Sequence, residues 1–302
     1  MSAVERALPP RVVIVSRPSE RDELVLRHGT VQQARFFLES RGQKLDDVLA
    51  RHAILEAALH AVTAAVPSKW RRARVARHEL DRFLFDRDDV VVIVGQDGLV
   101  ANVAKYLRGQ PVIGINPSTA LNAGVLVRHP PQATGDLLAM FARGVLPCEE
   151  RTMVSARLGN GQTLIALNEI FVGHRTHQSA RYRLAFGGQV ERHSSSGLIV
   201  ATGTGATGWA KSIAGDRKHA PALPGPLEPT VAFLVREAWA SVTTGAALVA
   251  GRIAPGEALA VTSEMNDGGT VFGDGIEADH LELPFGQTVE LGCAEEAMRL
   301  AA

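Results

Sequence analysis

Residues 89–98, DVVVIVGQDG, constrain the fold of this chain more than any other stretch. Apolar, mostly β-branched residues at 90–94 run without a polar break into Gly95, Gln96, Asp97 and Gly98. A strand with no polar alternation is buried on both faces, which places it inside a parallel sheet covered by helices. The two glycines let the backbone bend sharply and approach another group closely. Asp97 then stands at the carboxyl end of a central strand, where open α/β sheets place their ligands. Two readings fit. The carboxylate accepts a proton from a hydroxyl or orients a metal-bound phosphate, or it only caps a helix over residues 99–106.

A chain of 302 residues, 46% hydrophobic, is expected to form two domains. Its 32 basic and 32 acidic residues cancel, which argues against a nucleic-acid protein held by bulk charge. Cys148 and Cys293 belong to no metal-ligand or disulfide pattern, in keeping with a reducing cytoplasm. The opening residues lack a basic segment followed by a long apolar run, and no run of about 18 apolar residues points to a membrane.

The first half alternates strand and helix patterns. Strands are expected at 11–16, 74–76, 90–94 and 111–115, with helices from the Thr30 cap to Ser40, over 45–66, and near 79–85. Leu45, Val48, Leu49, Leu55, Leu59 and Val62 form one apolar stripe at helical spacing, and Pro67 ends it. This order predicts a Rossmann-like parallel α/β domain over residues 1–146. From residue 147 to 302 the pattern is mainly β. Strands are expected at 153–158, 163–170, 181–186, 198–201, 231–234, 258–261, 280–283 and 288–291, with turns at Gly159-Asn160-Gly161 and Gly187-Gly188. The fold class is therefore α/β followed by a β-rich domain, with an active site expected in the cleft between them. The last residues are allowed to pack back on the first domain.

Three more clusters carry polar chemistry. Asn168-Glu169 interrupts an apolar strand. Neighbouring strand residues face opposite ways, so only a strand end or bulge brings both to one ligand; a strand wetted on one side fits equally well. An amide and a carboxylate together suit amide and ribose groups. The segment 202–209, TGTGATGW, puts backbone N–H groups and hydroxyls on an open turn before a short helix, a setting for an anion or a plain surface turn. Gly273-Asp274-Gly275 reads more readily as a turn than as a ligand contact. His174 and His177 lie three apart without a carboxylate partner pattern, and no metal site is assigned.

In order and spacing these clusters resemble the NAD kinase family over residues 88–290. The family's GGDG loop is similar to Gly95-Gln96-Asp97-Gly98, its NE motif to Asn168-Glu169, its threonine- and glycine-rich segment to 202–209, and its late Asp-Gly to Asp274-Gly275. PVIGINPS at 111–118 and VREAWAS at 235–241 resemble two family strands. SSGL at 195–198, TGTG at 202–205 and Trp209 resemble a divergent branch that includes mitochondrial NAD kinases. Ser196 stands where the main bacterial branch has Asp, which implies one carboxylate contact fewer. Gln96 replaces the second glycine of GGDG; where that position needs φ > 0, Gln costs on the order of 1 kcal/mol.

The resemblance implies phosphorylation of the adenosine-ribose 2′-hydroxyl of NAD(H) by ATP, with Mg²⁺ or another divalent cation arriving on the nucleotide. Asp97 would be the general base or hydroxyl-orienting carboxylate, and its change to Asn would stop turnover without disturbing the fold. Asn168, Glu169, Thr204, Thr207 and Gly208 would bind NAD(H). Gly95, Gln96, Gly98, Gly203 and Gly205 would form the phosphate and nucleotide loop. A cytoplasmic homodimer or homotetramer, with no nucleic acid or membrane partner, is implied. The departures at Gln96 and Ser196 also admit a non-catalytic NAD(H)/NADP(H)-binding module, or a kinase for a hydroxyl on a sugar or lipid.

Overall fold

A computed structural model describes residues 9–120, 122–217 and 221–302. The first eight residues, read above for a leader, lie outside the described residues. The chain divides into two compact units, one holding the residues up to Glu149 together with Arg299–Ala302, the other Glu150–Met298.

The first unit runs β1 (Arg11–Ser16), α1 (Glu20–His28), α2 (Val31–Glu39), α3 (Leu45–Ala65), β2 (Arg71–Ala76), β3 (Asp89–Val94), α4 (Asp97–Ala104), β4 (Pro111–Ile115), α5 (Thr134–Ala142) and β5 (Cys148–Arg151). Its sheet has the order β2-β1-β3-β4-β18-β5, where β18 (Met298–Ala301) is the last element of the chain. The pairs β1–β2, β1–β3, β3–β4 and β4–β18 are parallel. Every residue of β3 is buried, as an uninterrupted apolar strand requires. Its first residue, Asp89, is a buried carboxylate held by both arms of the Arg11 guanidinium at 2.8 and 2.7 Å. Arg11 also donates to the Leu84 carbonyl and lies over the Phe83 ring. The helix expected near 79–85 is accordingly only a single 3₁₀ turn, Arg77–Glu79.

Helix α3 is 21 residues long, and by length and hydropathy alone it is long and apolar enough to cross a membrane. Four of its apolar positions are buried within the unit, while others, Ile54 among them, are exposed. Leu45 and Val48 pack with Leu24, Ala34 and Leu38 of α1 and α2, while Ala58 and Val62 pack on β1, β3 and α5. Helix α1 was not foreseen. Its start is a capping box in which Ser19 Oγ accepts from the Asp22 amide and Asp22 accepts in return from Ser19.

The second unit holds β6 (Val154–Leu158), β7 (Thr163–Ala166), β8 (Glu169–His174), β9 (Ala180–Phe186), β10 (Gln189–Ser195), β11 (Leu198–Thr202), α6 (Trp209–Gly215), β12 (Val231–Val235), β13 (Ala250–Ile253), β14 (Leu259–Ser263), β15 (Gly269–Gly273), β16 (His280–Glu282) and β17 (Thr288–Cys293). They form two six-stranded antiparallel sheets, β10-β9-β14-β17-β6-β7 and β13-β12-β11-β8-β15-β16. Val154, Leu184, Val261 and Leu291 from one sheet and Val172, Val200, Phe233 and Val271 from the other share one buried core. The outer face of the second sheet, through Phe171, Ile199, Ala201 and Leu234, is covered by α6. Gly187-Gly188 is the two-residue turn of the β9–β10 hairpin, with Phe186 paired to Gln189.

The strand expected over 163–170 is two strands, broken at Leu167-Asn168. The amides of both residues are taken by the Asp274 carboxylate instead of a neighbouring strand. Strands β5, β10, β13, β15 and β18 were also not foreseen. Two of them carry charged or glycine-rich sequence that hides the alternation of a half-buried strand.

Candidate active site

In the first unit the candidate residues gather where β3 ends. Gly95 takes φ +158, but Gln96 takes φ −115 and ψ 162, open to any side chain. The strain foreseen for glutamine there does not arise. Gln96 and Gly98 are exposed and Asp97 is half-buried. Asp97 opens α4, yet its side chain does not cap that helix. Oδ1 accepts from the amides of Leu126 at 2.8 Å and Val127 at 3.0 Å, and Oδ2 from that of Val125 at 2.9 Å. A carboxylate offers about four acceptor positions, so three amides leave one, on Oδ2. The loop it holds is tied down a second way. Asn116 donates to the Asn122 carbonyl and accepts from the Ser118 amide. Asp97 therefore cannot be replaced by Asn without touching the fold, because one oxygen facing an N–H would become an NH₂.

Beside this loop lies a cavity of about 330 Å³, lined among others by Arg17, Ser19, Arg51, His52, Gln96 and Ser118. It opens at the carboxyl ends of β1 and β3 and reaches the start of α1. The Ser19 Oγ that begins α1 lies 2.8 Å from His52 Nδ1, and Arg51 is paired with Glu20 at 2.6 Å. Cationic and hydroxyl groups at the ends of parallel strands are what an anionic nucleotide needs. Sequence reading missed Arg17, Arg51 and His52, since nothing in their local pattern separates them from solvated surface residues.

In the second unit, one end of one sheet collects the rest. Glu169 at the start of β8 is paired with Ala201 near the end of β11, and Ile170 with Gly273 at the end of β15. Thr202 donates its amide to the Asn168 carbonyl at 2.9 Å and its hydroxyl to the Leu167 carbonyl at 2.6 Å. The same hydroxyl accepts from the Gly205 amide at 3.2 Å. A Cβ on Gly205 would overlap the backbone of Asn168, and one on Gly203 the backbone of Gly225. The close approach these two glycines allow is thus to the chain's own backbone. Thr204 Oγ1 is buried without a hydrogen-bond partner among the described residues, while Thr207 and Gly208 are exposed. Trp209 stacks on Phe171 with 5.9 Å between ring centres, and the Arg236 guanidinium lies 5.0 Å from the indole. Ser196 is exposed, and its amide donates to the Arg236 carbonyl.

Burial, and after it the nearby Asp274 carboxylate, push the Glu169 carboxyl up to about 7. Asp274 sits at φ +52, a left-handed conformation uncommon outside glycine. The strand break leaves Asn168 and Glu169 both half-buried at the end of β8, the arrangement a continuous strand would forbid.

No family model matches the chain. The NAD kinase of Methylococcus capsulatus is 36% identical over 135 residues, 42% of this chain and 46% of that protein. The NAD kinase of Burkholderia pseudomallei is 33% identical over 141 residues, and that of Bordetella avium 29% over 194. Over these stretches the chain is similar to NAD kinases. It spans about half the length of the curated NAD kinases it matches, up to 61% for the Bordetella protein. The NAD kinase fold extends further. The structure of an Archaeoglobus fulgidus NAD kinase in complex with ATP aligns over 97% of this chain and 93% of its own, with a TM-score of 0.58 at 20% identity. Yeast NADH kinase complexed with NADH aligns over 98% of this chain and 84% of its own, with a TM-score of 0.59 at 14% identity.

Proposed function

We propose that this protein transfers a phosphoryl group from ATP to the 2′-hydroxyl of the adenosine ribose of NAD(H), giving NADP(H). The observation that carries this reading is the meeting of Asn168-Glu169, Thr202–Gly205 and Asp274 at one end of one sheet, from three separate stretches of sequence. In this reading Asn168, Glu169, Thr204, Thr207 and Gly208 bind the dinucleotide. The Asn168 amide donates and accepts, Glu169 accepts from ribose hydroxyls, and Thr204 Oγ1 finds on the dinucleotide the partner it lacks among the described residues.

Asp97 orients the acceptor hydroxyl through its one remaining acceptor position. With three amides holding the carboxylate in place, orientation and not mobility is its contribution. Phosphoryl transfer depends chiefly on positioning and on stabilising charge. Arg17, His52 and Ser19 face the donor phosphates in the cavity beside Gly95, Gln96 and Gly98. A divalent cation enters with the donor and neutralises phosphate charge. The protein works in this reading as a cytoplasmic homodimer or homotetramer, which light scattering on the purified chain would measure.

The test is an assay of NADP(H) formation from NAD⁺ and from NADH, with ATP, GTP or polyphosphate as donor. ATP-dependent product from either dinucleotide is the expected result. Tight NAD(H) binding without turnover on any donor would overturn it.

A further inference from the structure

We propose that Asp274 is a positioning residue for the dinucleotide: its carboxylate, presented on a left-handed turn, holds the backbone at Leu167 and Asn168 so that the Asn168 amide and the Glu169 carboxylate leave the end of β8 side by side. The proposal rests on the reading above, in which those two residues bind NAD(H).

The geometry is a clamp of three hydrogen bonds. Asp274 Oδ2 accepts from the Leu167 amide at 3.0 Å, Oδ1 accepts from the Asn168 amide at 2.7 Å, and the Asp274 amide donates to the Glu169 carbonyl at 3.0 Å. Strand β8 begins only at Glu169, so no ladder partner serves the two amides before it. Without the clamp they would need water or a continued strand, and a continued strand would turn Asn168 and Glu169 to opposite faces.

A plain turn does not call for this residue. Glycine takes φ +52 without cost, whereas Asp there is strained. Asp274 also sets a second carboxylate near Glu169 and disfavours its ionised form. Both costs fall at one position, and what they secure is the presentation of Asn168-Glu169. The strand on the other side, β11, brings Thr202, which does not titrate, and Gly273 packs on Ala166 of β7. Among the described residues Asp274 is the charged group that acts on Glu169.

Calorimetry of NAD(H) binding between about pH 5.5 and 8.5 tests the role, since the ionised Glu169 is the better acceptor for ribose hydroxyls. In the unaltered protein affinity is expected to rise with pH through an inflection near neutrality. Asp274→Asn keeps a residue that tolerates the left-handed turn. It is expected to weaken binding about tenfold at high pH and to move the inflection to lower pH. Glu169→Gln should bind without an inflection, and adding Asp274→Asn to it should restore none. An Asp274→Asn protein with unchanged affinity and an unmoved inflection overturns the proposal. If that variant does not fold, amide hydrogen exchange on the unaltered protein reads the same bonds. Slow exchange at Leu167 and Asn168 supports the clamp, and exchange as fast as in exposed loops overturns it. An unaltered protein that binds no NAD(H) at any pH would sink the dinucleotide reading itself; binding that is indifferent to Asp274 would sink only the positioning role.

Discussion

At the scale of single residues, two carboxylates solve opposite problems. Asp97 is held by backbone amides and spends three acceptor positions on the 125–127 loop. Asp97→Asn should therefore lower the unfolding free energy by about 2 kcal/mol, through N–H groups left without an acceptor, as well as reduce turnover by orders of magnitude. Urea denaturation beside the kinase assay would separate the two losses; full stability with lost turnover would mean that the loop is held by other bonds. Among the described residues no such donors hold Glu169, and burial raises its carboxyl to about 7. A group whose pKa is raised on folding favours the folded state below its ordinary value of 4.5 and loses that contribution as pH climbs through 7. Between those limits the unaltered protein should lose up to about 3 kcal/mol relative to Glu169→Gln. Parallel denaturation midpoints for the two proteins across this range would count against a buried, protonated Glu169.

Among the elements, the break between β7 and β8 matters most. The sequence shows an apolar run with two polar residues inside it, and single-strand periodicity cannot say whether the run bends there. The bend comes from Asp274, more than a hundred residues away in sequence. The glycine-rich segment after β11 is likewise shaped by its neighbours. Gly205→Ala and Gly203→Ala would each drive a methyl into backbone, at Asn168 and at Gly225. Each should cost about 1–3 kcal/mol of stability, and Gly205→Ala should also weaken NAD(H) binding by displacing Asn168. Thermal unfolding and calorimetry on the two variants would check this, and near-native behaviour of both would show that the turn yields easily. Arg217, just beyond α6, donates to the Val235 and Val249 carbonyls and ties the helix end to β12 and the segment before β13. That latch carries no local signature.

For the molecule as a whole, chain order and spatial order differ in one decisive place. Strand β18 completes the first unit's sheet between β4 and β5, although the whole second unit separates them in sequence. Leu300 pairs with Val112 and is fully buried, as is Ala301 nearly so. Removing residues 298–302 should expose the edge of β4 and lower the melting temperature of the first unit by several degrees. Calorimetry would detect this, and an unchanged melting profile would show that β18 contributes little.

Local chemistry by itself determined the central strand with its Gly95–Gly98 loop, the α3 stripe, the hairpin turns and the order of the polar clusters, because burial on two faces, helical spacing and tight turns each leave a mark within a dozen residues. The family resemblance was legible for the same reason. Tertiary structure alone decided that Asp97 is spent on the 125–127 loop, that Gln96 is unstrained, that Asp274 is a clamp, and that Arg17, Arg51 and His52 share one cavity. Each of these depends on a hydrogen bond or close approach between segments far apart in the chain, and such pairings leave no periodicity to read.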